Sequence, residues 1–256
     1  MIKNSCWLKD CCNHIDCDKS FCMREYKINY LYDQAGLSLL QRQNVRIFPI
    51  GYEYLTDEKG KDILDKNGKE IPTPAFKSFL ALGTYKDNIV SFVKDGSNLL
   101  IHSTQCGNGK TTWAIKLAQA YINKIWSSSD LKCRVLFINV PRFLLELKRN
   151  IDEKSEYVSH IKDNVLDCDL VIWDEIGTKD LTVFEHENVL SLINARLDSG
   201  KSNIYTSNLN ERELKESLGD RLYSRIVNMS YNIEIYGPDM RRVTMNEKLQ
   251  SNKNTL

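Results

Sequence analysis

Nowhere in the chain does an apolar run approach the roughly 18–20 residues that a membrane-spanning helix needs. Asn4, Asp10 and Asp16 interrupt the N-terminus, so no secretory signal is visible. An excess of one charge is also missing. The 35 Lys and Arg against 34 Asp and Glu leave a net charge of +1. That balance excludes a global electrostatic demand for nucleic acid or an anionic membrane, and confines any such contact to a local patch. No internal repeat and no low-complexity tract is visible. Hydrophobic residues at 42% and charged residues at 27% suit a soluble protein with a real core. The expectation is a cytoplasmic protein without a membrane partner, whose 256 residues hold one full-sized domain plus a small module.

Cysteine is scarce over most of the chain and crowded at one end. Cys6, Cys11, Cys12, Cys17 and Cys22 account for five of the eight. An odd count with no secretion signal disfavours disulfides. Soft thiolates favour tetrahedral Zn2+, and a module of about 40 residues cannot bury enough surface to fold unaided. The spacing suggests four thiols at Cys6, Cys12, Cys17 and Cys22, with Cys11 and His14 as competitors. Surface thiols without a metal are the alternative. Cys106, Cys133 and Cys168 are expected to be buried small hydrophobes.

The first segment runs into an expected helix from Phe21 to about Gln41, which Gly36 threatens to break early. Residues 57–72 are charged and carry the turn signals Lys59-Gly60 and Asn67-Gly68, which suggest a hairpin or linker. From Tyr85 onward helix and strand alternate. The apolar spacing predicts helix over Tyr85–Lys94, strand at Leu99–His102, helix at Thr111–Lys124 and strand at Arg134–Asn139. Helix Pro141–Asn150, strand Leu170–Trp173, helix Glu185–Leu197 and strand Asn203–Thr206 follow. This order implies an α/β fold with a parallel sheet and helices on both faces. The expected units are a Cys-rich module at 1–41, a linker at 42–84, a nucleotide domain at 85–245 and a polar tail at 246–256.

Thr104-Gln105-Cys106-Gly107-Asn108-Gly109-Lys110-Thr111 lies between an apolar strand and a helix, the setting of a phosphate loop. Gly107 and Gly109 allow positive φ, so that backbone N–H groups around Asn108 and the helix N-terminus, with Thr112 beside them, can face an anion. Lys110 is placed to reach the β- and γ-phosphates of ATP, and the Thr111 hydroxyl to ligate Mg2+. Thr104 stands where the motif has glycine, which is tolerable if its φ stays negative.

Strand Asp169-Leu170-Val171-Ile172-Trp173 ends in Asp174-Glu175. In a buried parallel strand these acids fall at the C-terminal sheet edge, beside the phosphate loop. Asp174 is expected to hold magnesium through water, and Glu175 to orient the attacking water. Asn208 ends another strand and can position that water. Arg221 and Arg225, four apart, share one helical face from which an arginine can be supplied to a neighbouring copy.

Together Gly107–Thr111, Asp169–Gly177, Tyr205–Asn208, Gly219–Ile226 and Gly237–Arg242 resemble the AAA+ ATPases of the DnaC/DnaI helicase-loader type. The related IstB-type transposition helper ATPases share several of these motifs. The resemblance implies a first sensor at Asn208, an arginine finger at Arg225 supported by Arg221, and a second sensor at Arg241, with Arg242 able to substitute. It implies single-stranded DNA contacts at Thr182 and Phe184, a hydroxyl and a ring able to stack on a base. It favours Cys12 over Cys11 as zinc ligand, and makes the N-terminal module the dock for a replicative DNA helicase. With only 14 residues after Arg242, a full C-terminal lid is not expected. The resulting expectation is a self-associating ATPase that loads a hexameric helicase onto single-stranded DNA. Its rivals are a transposition helper acting on duplex DNA with a transposase, and a non-hydrolysing zinc adaptor.

Overall fold

The computed structural model describes residues 22–43, 47, 53–150, 154–177, 181–237, 239 and 240. In chain order the elements are α1 (Met23–Gln34), α2 (Pro74–Asp87), α3 (Ile89–Lys94), β1 (Asn98–His102), α4 (Lys110–Ile125), β2 (Val135–Asn139), α5 (Val140–Arg149) and α6 (Glu156–Asn164). Then follow β3 (Leu170–Asp174), α7 (Val183–Asp198), β4 (Ser202–Ser207), α8 (Glu211–Val227) and β5 (Tyr231–Glu234). The strands form one parallel sheet in the order β2-β3-β4-β1-β5.

Strand alternation sorts the core into two layers. Leu99, Ile101, Leu170, Ile172 and Ile204 face a cluster completed by α1, α2, α3 and α4. Leu100, Val171, Trp173 and Tyr205 face a second cluster built from α5, α6, α7 and α8. Helices therefore cover both faces, as side-chain alternation in buried parallel strands requires. No helix among the described residues is long and apolar enough to cross a membrane.

Local chemistry sets the helix starts. Thr73 accepts the Phe76 amide at 3.2 Å ahead of Pro74, so α2 begins eleven residues before the helical spacing at Tyr85. Asn88, with φ −104° and ψ 19°, then separates α3 from it. Asn139 caps α5, Ser155 caps α6, and Thr182 and Asn210 open α7 and α8 with reciprocal capping boxes. Helix α1 ends at Gln34, earlier than the sequence suggests, and Gly36 follows with φ 72°. Ile28, Leu31, Ala35 and Leu37 enter the first core cluster, and the Ala35 carbonyl accepts the Phe137 amide at 2.8 Å. Residues 28–37 thus pack with the sheet.

Against the expectation of no internal repeat, the turns foreseen before α2 belong to a short repeat of eight residues. Leu55–Asp62 and Ile63–Glu70 share the pattern apolar-x-Asp-x-x-Gly-Lys-acid. Asp57 Oδ1 accepts the amides of Lys59 and Lys61, and Asp65 Oδ1 those of Asn67 and Lys69. Leu55, Ile63 and Ile71 close a ring of backbone bonds: Leu55 N–H to Ile71 O, Ile71 N–H to Ile63 O, and Ile63 N–H to Leu55 O. Aromatic contacts from Tyr54 through Phe76 and Phe79 to Trp113 tie this segment to α4.

Candidate functional site

Because β1 lies next to β4, and β4 next to β3, the C-terminal ends of these strands converge. The loop after β1 and the acids after β3 meet there. Gly107 and Gly109 adopt φ 74° and 102°, the left-handed backbone that turns their amides inward. Among the described non-glycine residues only Glu175 has positive φ, so Thr104 keeps an ordinary backbone where the motif has glycine.

Asn108 is not a passive loop residue. Its buried Nδ2 donates to Ser103 Oγ at 2.7 Å and to the Ile235 carbonyl at 3.0 Å. The Met240 amide donates to the Gly107 carbonyl at 3.0 Å, so the chain after β5 also braces the loop. Lys110 is only 6% exposed, and its Nζ donates to the Gln105 carbonyl at 2.7 Å and to Asn108 Oδ1 at 3.1 Å. Thr112, two residues further along α4, lines a small groove of about 190 Å³ with Leu40, Gln43 and Ile115.

The Thr111 hydroxyl donates to Asp174 Oδ1 at 2.8 Å. A hydroxyl and a carboxylate side by side are hard oxygen donors that fit Mg2+. Burial pushes the Asp174 carboxyl above its usual range, the Thr206 and Thr111 hydroxyls oppose that rise, and Glu175 adds to it. Glu175 sits at φ 61°, in the left-handed region a non-glycine residue rarely adopts. Its amide donates to Thr206 Oγ1 at 2.9 Å, and its Oε2 accepts from Asn139 Nδ2 at 3.2 Å. A carboxylate held this way at a phosphate-binding loop can orient and polarise water. Asn208 is half-buried just past β4, at the same sheet edge.

Three contributors have no role of their own in the sequence motifs: Asn139, Ser103 and Thr206. Asn139 pairs with Asp174 across β2 and β3, and the β3–β4 pairing of Trp173 with Tyr205 brings Thr206 alongside Asp174. Each is a polar residue at the C-terminal end of a buried parallel strand, and that placement is the signal that could have found them.

Other expected residues lie elsewhere. Arg221 and Arg225 are exposed on the half of α8 that follows the kink at Gly219. They line a groove of about 820 Å³ against α7 with Glu187, Asp198 and Asp220, and no phosphate-loop residue lines it. Within one copy they do not join the loop. Thr182 Oγ1 donates to Glu185 Oε2 at 2.9 Å in its capping box, while Phe184 is 46% exposed and Val183 81%. Arg241 and Arg242 lie outside the described residues, as do Cys6, Cys11, Cys12, His14 and Cys17. Cys22 stands half-buried immediately before α1. Among the described residues no group of three or more His, Cys, Asp or Glu could hold a metal ion.

The three remaining cysteines divide. Cys133 and Cys168 are buried as expected, which pushes their thiols up to about 12 and about 11. Cys106 is exposed, because it lies in the phosphate loop and not in the core. A nucleotide seated on this loop is expected to shield it. At ATP about ten times its dissociation constant, with magnesium, alkylation of Cys106 mapped by mass spectrometry should slow about tenfold. Unchanged labelling at saturating ATP would place the nucleotide elsewhere.

A parallel sheet in this order, with a phosphate loop after β1 and an acid pair after β3, defines a P-loop ATP-binding domain of the AAA+ class. Residues 86–248 match the family of IstB-like ATP binding proteins, and the chain belongs to that family. Among curated proteins none matches. Among solved structures, the DnaC helicase loader is 20% identical with a TM-score of 0.52, over 64% of this chain and 91% of that one. DnaI is 19% identical with a TM-score of 0.49, over 69% and 87%. Domain III of the Thermotoga maritima replication initiation protein DnaA is 21% identical with a TM-score of 0.47, over 67% and 70%.

Proposed function

We propose that this protein hydrolyses ATP at contacts between its own copies and uses that cycle to place a hexameric replicative helicase on single-stranded DNA. The observation that carries the ATPase part is the convergence of Lys110, Thr111, Asp174 and Glu175 at one sheet edge. Lys110 and the loop amides grip the triphosphate of ATP, the substrate. Thr111 and Asp174 hold magnesium, which when bound neutralises charge on the phosphate oxygens. Glu175, steadied by Asn139, orients the attacking water, with Asn208 assisting. Arg225, supported by Arg221, acts on the nucleotide of a neighbouring copy, in keeping with its exposure away from its own loop. Arg241 senses the bound nucleotide.

The helicase-loading part is supported by the order of the motifs and by likeness in fold to the DnaC helicase loader. Thr182 and Phe184, at the exposed start of α7, are the proposed DNA contacts, with the Phe184 ring as stacking platform. The test is native mass measurement of the full chain mixed with its host's replicative helicase, with and without ATP. A joint complex that responds to ATP is expected; a helicase that never binds it removes this part of the reading. Membership of the IstB-like family favours a second reading, a transposition helper, in which a transposase and duplex DNA take the helicase's place.

Thiol chemistry further supports zinc at Cys6, Cys12, Cys17 and Cys22 as the core of a partner-docking module. Elemental analysis of the purified chain should find about one zinc per copy, and Cys17→Ser should lower it. A metal-free chain that still docks its partner contradicts this assignment.

A further inference from the structure

We propose that Thr206 is a positioning residue of the nucleotide site, setting the Asp174 carboxylate and the Glu175 backbone together through one hydroxyl. The inference rests on the magnesium–nucleotide reading above and gives a role to a residue outside the phosphate loop and the acid-ended strand.

Thr206 lies near the end of β4 and is 1% exposed. Its Oγ1 carries a single proton, which it donates to Asp174 Oδ1 at 2.7 Å. The same oxygen accepts the Glu175 amide at 2.9 Å, and the Thr206 carbonyl accepts the Ile176 amide at 2.8 Å. Three bonds from one residue thus pin three consecutive positions, 174 to 176. The middle one is Glu175, whose φ of 61° needs such restraint.

The direction of these bonds is informative. A threonine that only satisfies itself in a strand turns its hydroxyl to a nearby backbone carbonyl. Here the hydroxyl proton goes to a buried carboxylate and its lone pair to the next acid's amide. Asp174 Oδ1 receives two hydroxyls, from Thr111 at 2.8 Å and from Thr206. Thr111 is the one on the phosphate-loop side, so it is the one that turns toward a metal. Thr206 stays, and keeps the carboxylate plane fixed whether or not the metal is there. The Asp174 carboxylate, which would hold magnesium through water, is thereby already in place.

The test is equilibrium binding of a fluorescent ATP analogue to the full chain, in magnesium and in EDTA, with wild type, Thr206→Val and Thr206→Ser. Electron spin resonance of Mn2+ follows metal retention directly. In EDTA all three proteins should bind within about twofold of one another, since the phosphate loop is untouched. In magnesium, Thr206→Val should bind about tenfold more weakly than wild type, the scale of one lost bond to a charged group, and should hold Mn2+ correspondingly less well. Thr206→Ser should restore both. Wild-type metal enhancement in Thr206→Val overturns the proposal, as does an equal loss in Thr206→Ser. A Thr206→Val chain that fails to fold while Thr206→Ser folds also overturns it, because the hydroxyl would then serve the fold. A wild-type chain with no magnesium enhancement overturns the nucleotide-site reading itself, and this proposal with it.

Discussion

Lys110→Ala should lower ATP affinity by at least about 100-fold, the scale expected for removing a charge-assisted donor from a buried phosphate site. The reason lies in where that ammonium sits. It is almost fully buried, at the N-terminus of α4, where the helix dipole already favours negative charge. Its bonds to the Gln105 carbonyl and Asn108 Oδ1 go to neutral oxygens. A triphosphate entering the loop replaces those partners with charged ones. Titration of wild type and variant with a fluorescent ATP analogue in magnesium is the measurement, with circular dichroism to confirm that the variant is folded. Equal affinity would show that the loop does not carry the nucleotide.

Glu175→Gln should separate binding from turnover. The amide keeps the shape of the carboxylate and can still accept from Asn139, so ATP affinity should stay within a few-fold of wild type. It cannot polarise water as a carboxylate does, and the turnover rate should fall by about 10²- to 10³-fold. Asn139→Ala should follow in the same direction with a smaller loss, because it frees the Glu175 side chain from its 3.2 Å restraint without removing its charge. Phosphate release under saturating ATP reads both effects. If Glu175→Gln hydrolyses ATP within threefold of wild type, another group activates the water.

What the sequence discloses here follows strand burial. Strands β1, β2 and β3 have every residue, or all but one, buried, and they stand out as apolar runs, whereas β4 is buried throughout with only Ile204 and Tyr205 apolar among its six residues. β5 alternates with only Ile233 buried, and its four residues carry no such signal. The nine-residue α6 is equally short on periodicity, and its start depends on the Ser155 cap. The site divides in the same manner. Lys110, Thr111, Asp174 and Glu175 announce themselves because glycine spacing and a strand ending in acids are local patterns. Asn139 and Thr206 are legible as polar residues ending buried strands, but which acids they meet follows from the order β2-β3-β4, a long-range property.

Arg196 shows the opposite limit. A helical arginine on α7 suggests solvent, yet it is fully buried. Its guanidinium donates to the carbonyls of Val165, Cys168 and Ser202 and to Asn203 Oδ1, closing the sheet end opposite the site. Burial lowers its pKa, while its hydrogen bonds compensate for the lost hydration. Such a residue becomes legible only when the loop carbonyls it gathers are known to converge.

The most direct measurement is a crystal structure of the full chain with a non-hydrolysable ATP analogue and magnesium. The Lys110 ammonium should have left the Gln105 carbonyl for a phosphate oxygen, and the Thr111 hydroxyl should have turned from Asp174 to the metal. Nucleotide density anywhere else, with both of those contacts intact, would contradict the account.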